Sequence, residues 1–240
     1  MPAATSIVIP WHRRFAARAP RWLRGLLLRF EARIDREIGA FARSLAPRAR
    51  VLDAGAGEGR HRTRFAHCRY AGVDLAVGDS DWDYSRLHAR ADLAALPFAD
   101  GAFDATLNVV VLEHVPDPEA VLGEIARTLA PGGRLLLIVP QEWGMHQMPR
   151  DYFRYTRYGL EALLQRAGFQ SVQIAPAGGF FTLLGRRLLD SALFFNHGPR
   201  WLVFPFWSLV VGPTGVLLPF LDFLDRDKLT TLGWICTATR

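Results

Sequence analysis

The chain has 240 residues, half of them hydrophobic and 22% charged, which excludes a disordered or collagen-like chain and suits one α/β domain with a modest extra element. Its two cysteines, Cys68 and Cys236, are far apart and lack metal-ligand spacing, so no disulfide framework and no metal are expected, and a reducing compartment is the default. The net charge of +6 belongs to residues 1–46, where nine arginines face only Glu31, Asp35 and Glu37, while the rest of the chain balances.

In chain order, the run MPAATSIVIPWHRRF is too short, and places its arginines on the wrong side, to be a secretory signal, so none is expected. Residues 21–45 space Leu23, Leu27, Phe30, Ile34, Ile38, Phe41 and Leu45 at steps of three and four, which predicts an amphipathic helix ended by Pro47. Arg50–Ala54 reads as a first strand, followed by glycines and a helix near Arg60–Ala66. Tyr70–Leu75 reads as a second strand, His88–Asp92 as a short third, and the nearly all-apolar Asp104–Val110 as a fourth buried on both faces. A helix starts at Asp117 or Pro118 and runs to Leu129, broken by Pro131-Gly132-Gly133, and Arg134–Val139 is a fifth strand. Thr156 caps a helix ending at Gly168, Phe169–Ala175 is a sixth strand and Leu232–Thr239 a seventh.

Strands alternating with helices predict an α/β fold: a Rossmann-like, seven-stranded, mostly parallel sheet with helices on both faces. To it are added the amphipathic N-terminal helix and an apolar helical insert before the last strand. The expected organisation is a basic segment over 1–46 and a main domain over 47–240 that carries the insert at 179–226.

The stretch VLDAGAGEGR, residues 51–60, carries Gly55, Gly57 and Gly59 directly after the first strand. In an open parallel sheet that turn lies at the carboxyl end where ligands bind, and bare glycines let a ligand approach the backbone. The spacing is G-x-G-x-G, whereas the dinucleotide fingerprint is G-x-G-x-x-G. Asp53, two residues before Gly55, would repel a pyrophosphate and suits a cationic ligand.

With D-A-G-A-G-E-G, Y-A-G-V-D-L, R-A-D-L-A-A-L-P-F-A-D-G-A-F-D, V-L-E-H-V-P-D-P and L-A-P-G-G-R-L-L-L-I-V-P in that order, the chain resembles the class I S-adenosylmethionine-dependent methyltransferases, within them the type 11 group, over roughly residues 50–175. The resemblance implies S-adenosylmethionine as cofactor and methyl transfer as activity. It places the glycine turn beneath the methionine part and ribose, Asp53 toward the loop and the amino end, and Asp74 with Leu75 at the ribose hydroxyls. Asp92 and the Leu93 backbone fall at adenine, and Asn108 ends the fourth strand under the sulfonium. One departure is the segment between Asp74 and Asp92, where the family usually has a helix and this sequence has little helical period, so a loop is expected.

Methyl transfer is an in-line displacement in which the protein aligns the acceptor and excludes water, with a base where the acceptor is a hydroxyl. His114, beside Glu113 just after the fourth strand, is one candidate base, although a structural role, bonding neighbouring backbone, is favoured over it. His146 is the second. Residues 141–158 hold M-H-Q-M-P-R-D-Y-F-R-Y-T, similar to a pattern in a type 11 subset, and His146, Asp151, Tyr152, Arg154 and Tyr155 are candidate acceptor contacts. The competing reading is that the two tyrosines pack while Asp151 and Arg154 pair locally.

No charge occurs from Trp201 to Leu221, long enough for a membrane span, but Pro205, Gly212, Pro213, Gly215 and Pro219 are expected to break a straight helix. A substrate lid, an interfacial membrane hairpin and a dimer surface remain open for this insert. Trp201, Trp207, Arg186, Arg187 and Arg200, with Trp11 and Trp22 in the basic segment, suit a membrane interface. The expectation is an enzyme of the cytoplasm, peripheral to the membrane, that methylates a small lipophilic or lipid-linked acceptor. A non-catalytic cofactor-binding protein of the same fold is the alternative. A nicotinamide oxidoreductase is disfavoured by the glycine spacing and Asp53. Nucleic acid is not expected as a partner, since N-V-V-V follows the fourth strand where base methylases carry a tetrad such as N-P-P-Y.

Overall fold

A computed structural model describes residues 20, 25, 27–78, 81–195 and 198–240, with Leu193 described by its backbone alone. The basic N-terminal residues up to Arg18, together with Trp11 and Trp22, lie outside the described residues. The chain divides into two compact units: Asp35–Ala175 with Trp234–Arg240, and the described residues up to Ile34 with Pro176–Gly233.

The first of these units is built on a seven-stranded sheet: β1 Arg50–Ala54, β2 Arg69–Asp74, β3 Ala89–Arg90, β4 Phe103–Val109, β5 Leu129–Pro140, β6 Gln170–Pro176 and β7 Gly233–Thr239, in the order β3-β2-β1-β4-β5-β7-β6. β1 pairs in parallel with β2 and β4, β2 with β3, and β4 with β5. β7 runs the other way: Arg240 and Gly133 meet at one end of β5, and Thr239 reaches Gln170 at the start of β6. The strand order reverses beside β1, so the crevice between the ends of β1 and β4 is where such a sheet binds ligands.

Local chemistry explains the elements. Helix α1, Arg29–Arg43, buries Ile38, Phe41 and Ala42 on one stripe and exposes Asp35, Arg36 and Arg43. Helix α2, Pro118–Thr128, begins where Asp117 accepts the Ala120 N–H at 3.0 Å, with Pro118 in the first turn where no N–H is needed. Helix α3, Arg157–Arg166, is capped by Thr156, whose hydroxyl accepts from Gly159, and is followed by Gly168 at φ +87°. Leu52, Val73, Leu122, Ile125, Leu137, Leu164 and Trp234 fill the core around the sheet.

Four expectations need correction. The strand expected over Arg134–Val139 begins at Leu129, so Pro131-Gly132-Gly133 lies inside β5 and does not separate it from the helix. The helix expected near Arg60–Ala66 is a single 3₁₀ turn, Arg62–Phe65, that buries Phe65 alone. The third strand is only two residues long, because β2 offers it a partner over Val73 and Asp74 alone. The prolines of the insert do not break its helix.

The second unit contains helix α4, Phe180–Ser191, and helix α5, Phe204–Leu217, joined through 3₁₀ turns. Pro205 stands in the first turn of α5, and Pro213 inside it removes one N–H without ending the helix; a last 3₁₀ turn follows at Leu218–Leu221. Phe204–Leu221 is a helical stretch of 18 residues at mean hydropathy 1.6, long and apolar enough to cross a membrane by length and composition alone. Only 11% of it is buried. Asp222 holds the start of α4, accepting from the Gly179 and Thr182 N–H groups at 2.8 and 2.9 Å and from the Thr182 hydroxyl at 2.6 Å. Arg186, buried in this unit, pairs with Glu31 and Asp190, each at 2.9 Å.

Candidate cofactor and acceptor site

The glycine turn after β1 is held open by its conformation. Gly55, Gly57 and Gly59 all have positive φ, at +92°, +53° and +68°. A Cβ at Gly55 would lie 2.3 Å from a Val111 methyl, and one at Gly57 would meet the Trp82 ring at 3.0 Å. Only glycine therefore serves at Gly55. The loop is stapled from below: Asp74, at the end of β2, accepts the Gly57 N–H at 2.9 Å through Oδ2 and the Ala76 N–H at 2.8 Å through Oδ1.

Asp53 is buried beneath the turn, and its Oδ2 accepts the Tyr70 hydroxyl at 2.5 Å. Burial pushes its carboxyl up to about 7; the Tyr70 bond opposes this shift and the nearby Asp74 adds to it. Asn108 is also fully buried. Its amide donates to the Ala54 carbonyl at 2.8 Å, tying β4 to β1, while its Oδ1 is buried with no hydrogen-bond partner among the described residues. An orphaned acceptor and two carboxylates around a bare turn suit a ligand carrying amino and hydroxyl groups and a positive charge. They do not suit a polyphosphate.

The β2–β3 connection carries no helix among its described residues, in line with its lack of helical period. Its Trp82 packs over Gly57, and its Tyr84 hydroxyl accepts the Gly78 N–H at 2.7 Å. Leu75 is half exposed at the mouth of this loop. Asp92 is exposed and caps its own turn, accepting from Ala94 at 2.9 Å, while Leu93 is buried in the core.

Beyond β4, a 3₁₀ turn over Leu112–His114 follows directly on Val111, the residue that covers Gly55. β4 and β5 are parallel neighbours, so the segments after them emerge together and bring His146 to His114 across 32 positions of sequence. The His114 Nδ1–H donates to the Arg150 carbonyl at 2.6 Å and the His146 Nδ1–H to the Gly144 carbonyl at 3.1 Å. Their Nε2 atoms face each other at 3.1 Å. The Glu113 carboxylate, fully buried, lies 3.6 Å from the first and 3.5 Å from the second. Burial holds the His114 imidazole below its ordinary pKa, against the opposing pull of Glu113.

Asp151 accepts the His146 backbone N–H at 2.9 Å and is gripped by Arg154 through both oxygens, at 2.7 and 2.8 Å. Burial works to raise Asp151, but Arg154 and the His146 N–H together hold it below its usual value. Arg154 reaches on to the Trp143 and Gly144 carbonyls, at 3.1 Å each, so this pair fixes the loop that presents His146. Tyr155 is buried, its hydroxyl donating to the Leu112 carbonyl at 2.8 Å; it anchors the loop to the sheet in the way of a packing residue. Tyr152 is half exposed and open to an acceptor.

The sequence by itself points to Asp53, Asp74, Asn108, His114 and His146. It does not assign Tyr70 to Asp53, Trp82 or Val111 to the glycines, or Glu113 to the histidine pair. Tyr70 and Val111 read there simply as sheet and turn residues, since nothing in their spacing marks a partner.

A family model described as "Methyltransferase domain" matches residues 52–137. An uncharacterized methyltransferase of Mycolicibacterium gilvum is 31% identical over 182 residues, covering 68% of this chain and 69% of its own length. A demethylmenaquinone methyltransferase of Thermus thermophilus is 37% identical over 139 residues, covering 52% of this chain and 63% of its own. Among solved structures, an S-adenosylmethionine-dependent methyltransferase from Archaeoglobus fulgidus aligns with TM-score 0.55 at 15% identity, covering 96% of this chain and 99% of that one; at that identity the likeness is one of fold.

Proposed function

The chain belongs to the class I S-adenosylmethionine-dependent methyltransferases, and from that premise we propose that it methylates a small lipophilic or lipid-linked acceptor while attached peripherally to an anionic membrane on its cytoplasmic face. Bound S-adenosylmethionine supplies a methyl group already activated on a sulfonium sulfur. Gly55, Gly57 and Gly59 offer it bare backbone, and Asn108 Oδ1 is a buried acceptor for an amino group. Asp74 keeps lone pairs for the ribose hydroxyls beyond its two backbone bonds, and Asp92 with the Leu93 backbone stands for adenine. Tyr152 and His146 are the acceptor contacts in this reading. His114 and His146 each have only Nε2 left to take a proton, because Nδ1 is committed to a carbonyl.

The observation that carries the acceptor class is the apolar surface of the insert. Phe206, Leu209, Val210 and Phe223 are each more than 60% exposed, as is Trp201. A soluble monomer rarely exposes so many large apolar side chains in one segment. Arg187 and Arg200, both exposed in the same region, supply positive charge suited to anionic headgroups, whereas Arg186 is buried in its pairs with Glu31 and Asp190. The relative named for demethylmenaquinone supports the same direction.

The test is co-sedimentation of the purified chain with phosphatidylglycerol-rich and purely zwitterionic vesicles at low and high salt. It is followed by transfer of labelled methyl from S-adenosylmethionine into a lipid extract. Binding to anionic vesicles that weakens with salt, and label in the organic phase, are expected. Label appearing only in water-soluble small molecules, with no vesicle binding, would discard the lipophilic acceptor.

A further inference from the structure

We propose that Glu113, His114 and His146 form a binding site for one divalent transition-metal ion of the zinc class, a property that goes beyond methyl transfer and does not depend on the acceptor. Three donor atoms converge on one point: His114 Nε2, His146 Nε2 and Glu113 Oε1, separated by 3.1, 3.5 and 3.6 Å. Zinc binds imidazole nitrogen and carboxylate oxygen at about 2.0–2.2 Å, so tetrahedral ligands lie roughly 3.3–3.6 Å apart. The two nitrogen–carboxylate separations fall in that range and the nitrogen–nitrogen separation is slightly shorter, so a small opening of the histidine pair would seat an ion.

The protonation pattern points the same way. Each histidine donates its Nδ1–H to a backbone carbonyl, of Arg150 and of Gly144. With Nδ1 so committed, each ring has only Nε2 to offer a ligand, and the two Nε2 atoms face each other at 3.1 Å. An ion between them would engage both nitrogens and the neighbouring carboxylate at once. A metal-bound imidazole has its second nitrogen held in just this fashion. Asp151, with oxygens 3.9 and 3.7 Å from the two Nδ1 atoms, adds a carboxylate behind both rings.

Glu113 supplies the independent observation. Its side chain is fully buried, and both of its oxygens lack a hydrogen-bond partner among the described residues. A buried carboxylate left unpaired is costly, whereas metal ligation compensates it. Two histidines and one carboxylate make the ligand set of an open zinc site, with a position left for water or for an acceptor oxygen. Ligation and free-base action compete for the same Nε2 lone pairs, so an ion here would make these histidines ligands instead of free bases.

The test uses the full chain, purified without a histidine tag and stripped with a chelator. It is titrated with zinc chloride by calorimetry and, separately, with cobalt chloride while visible absorption is followed. One ion per chain and the intense ligand-field bands of a four-coordinate cobalt site are expected. His146→Ala and Glu113→Gln should each weaken zinc binding by at least about 100-fold. Circular dichroism and binding of S-adenosylhomocysteine report whether each variant is folded. Should buried Glu113→Gln fail to fold, the less buried His146→Ala carries the test. Uptake below a tenth of an equivalent by the wild-type chain would overturn the site and leave the trio as a proton-sharing cluster. Equal affinity in a folded His146→Ala variant would also overturn it. Methyl transfer enters neither readout, so a failure here leaves the proposed activity standing.

Discussion

Asp53 sets a pH dependence that its neighbours make unusual. An unfolded aspartate titrates near 3.9, whereas burial raises the folded group to about 7. Between those values the folded chain holds a proton that the unfolded chain has released, so stability falls as pH rises from about 4 to about 7 and levels off above. The whole shift is worth about 4 kcal/mol at most. Asp53→Asn should flatten that slope, leaving the variant more stable than wild type at pH 7.5, at the cost of cofactor affinity. Urea unfolding at pH 4.5 and 7.5 measures this, and an unchanged slope in the variant would assign the pH dependence elsewhere. Gly55 is the steric counterpart. Gly55→Ala adds a clash with Val111 and a φ of +92°, and should cost about 2 kcal/mol or more. Val111→Ala in the same chain removes the two methyl clashes but leaves its Cβ at 2.9 Å and the backbone strain, so the double variant should recover only part of the loss. Full recovery in thermal melts would mean that conformation contributes nothing at this turn.

Capping decides the elements of the insert. Asp222 accepts three hydrogen bonds at the start of α4, and Asp225 accepts the Phe180 N–H at 2.6 Å. Asp222→Ala should therefore raise hydrogen exchange at Gly179–Thr182 and destabilise that unit by about 1–3 kcal/mol, with the amides of β1 and β4 unaffected. Protection lost equally in the sheet would show the two units to be one cooperative body. β1 and β2 are legible in the sequence because each is a short run closed by glycine or an acid, and β1 spans the same residues that its apolar run predicts, whereas β5 takes in the Pro131-Gly132-Gly133 that reads as a break. The 3₁₀ turn at Arg62–Phe65 is not legible, since Phe65 alone of its residues is buried and no helical stripe exists to read. Nor is the continuity of α5: a proline in a helix costs a hydrogen bond, but whether the helix ends there depends on packing around it. At the site, Asp74 is legible from its place at the end of β2. The convergence of Glu113 and His114 with His146 is not, because it arises from two parallel strands delivering distant loops to one edge.

At the scale of the molecule, the proposed attachment rests on the exposed apolar side chains of the insert. Phe206 and Leu209 are 73% and 75% exposed, so replacing both with glutamate removes no buried contact. The double variant should keep its unfolding midpoint, within about 0.5 kcal/mol, while losing most of its binding to anionic vesicles. A large drop in stability would instead assign these side chains to an internal interface.

The position of β7 between β5 and β6 bears on how the chain is made. On the ribosome β6 emerges with no neighbour to pair with, since its sole partner is the later strand β7. Some fifty residues of the apolar insert must be synthesised before that partner arrives. Throughout this interval an unpaired strand and an apolar helix are displayed together, a combination prone to aggregation until the sheet is completed. The order of translation thus leaves the insert exposed before the sheet is closed.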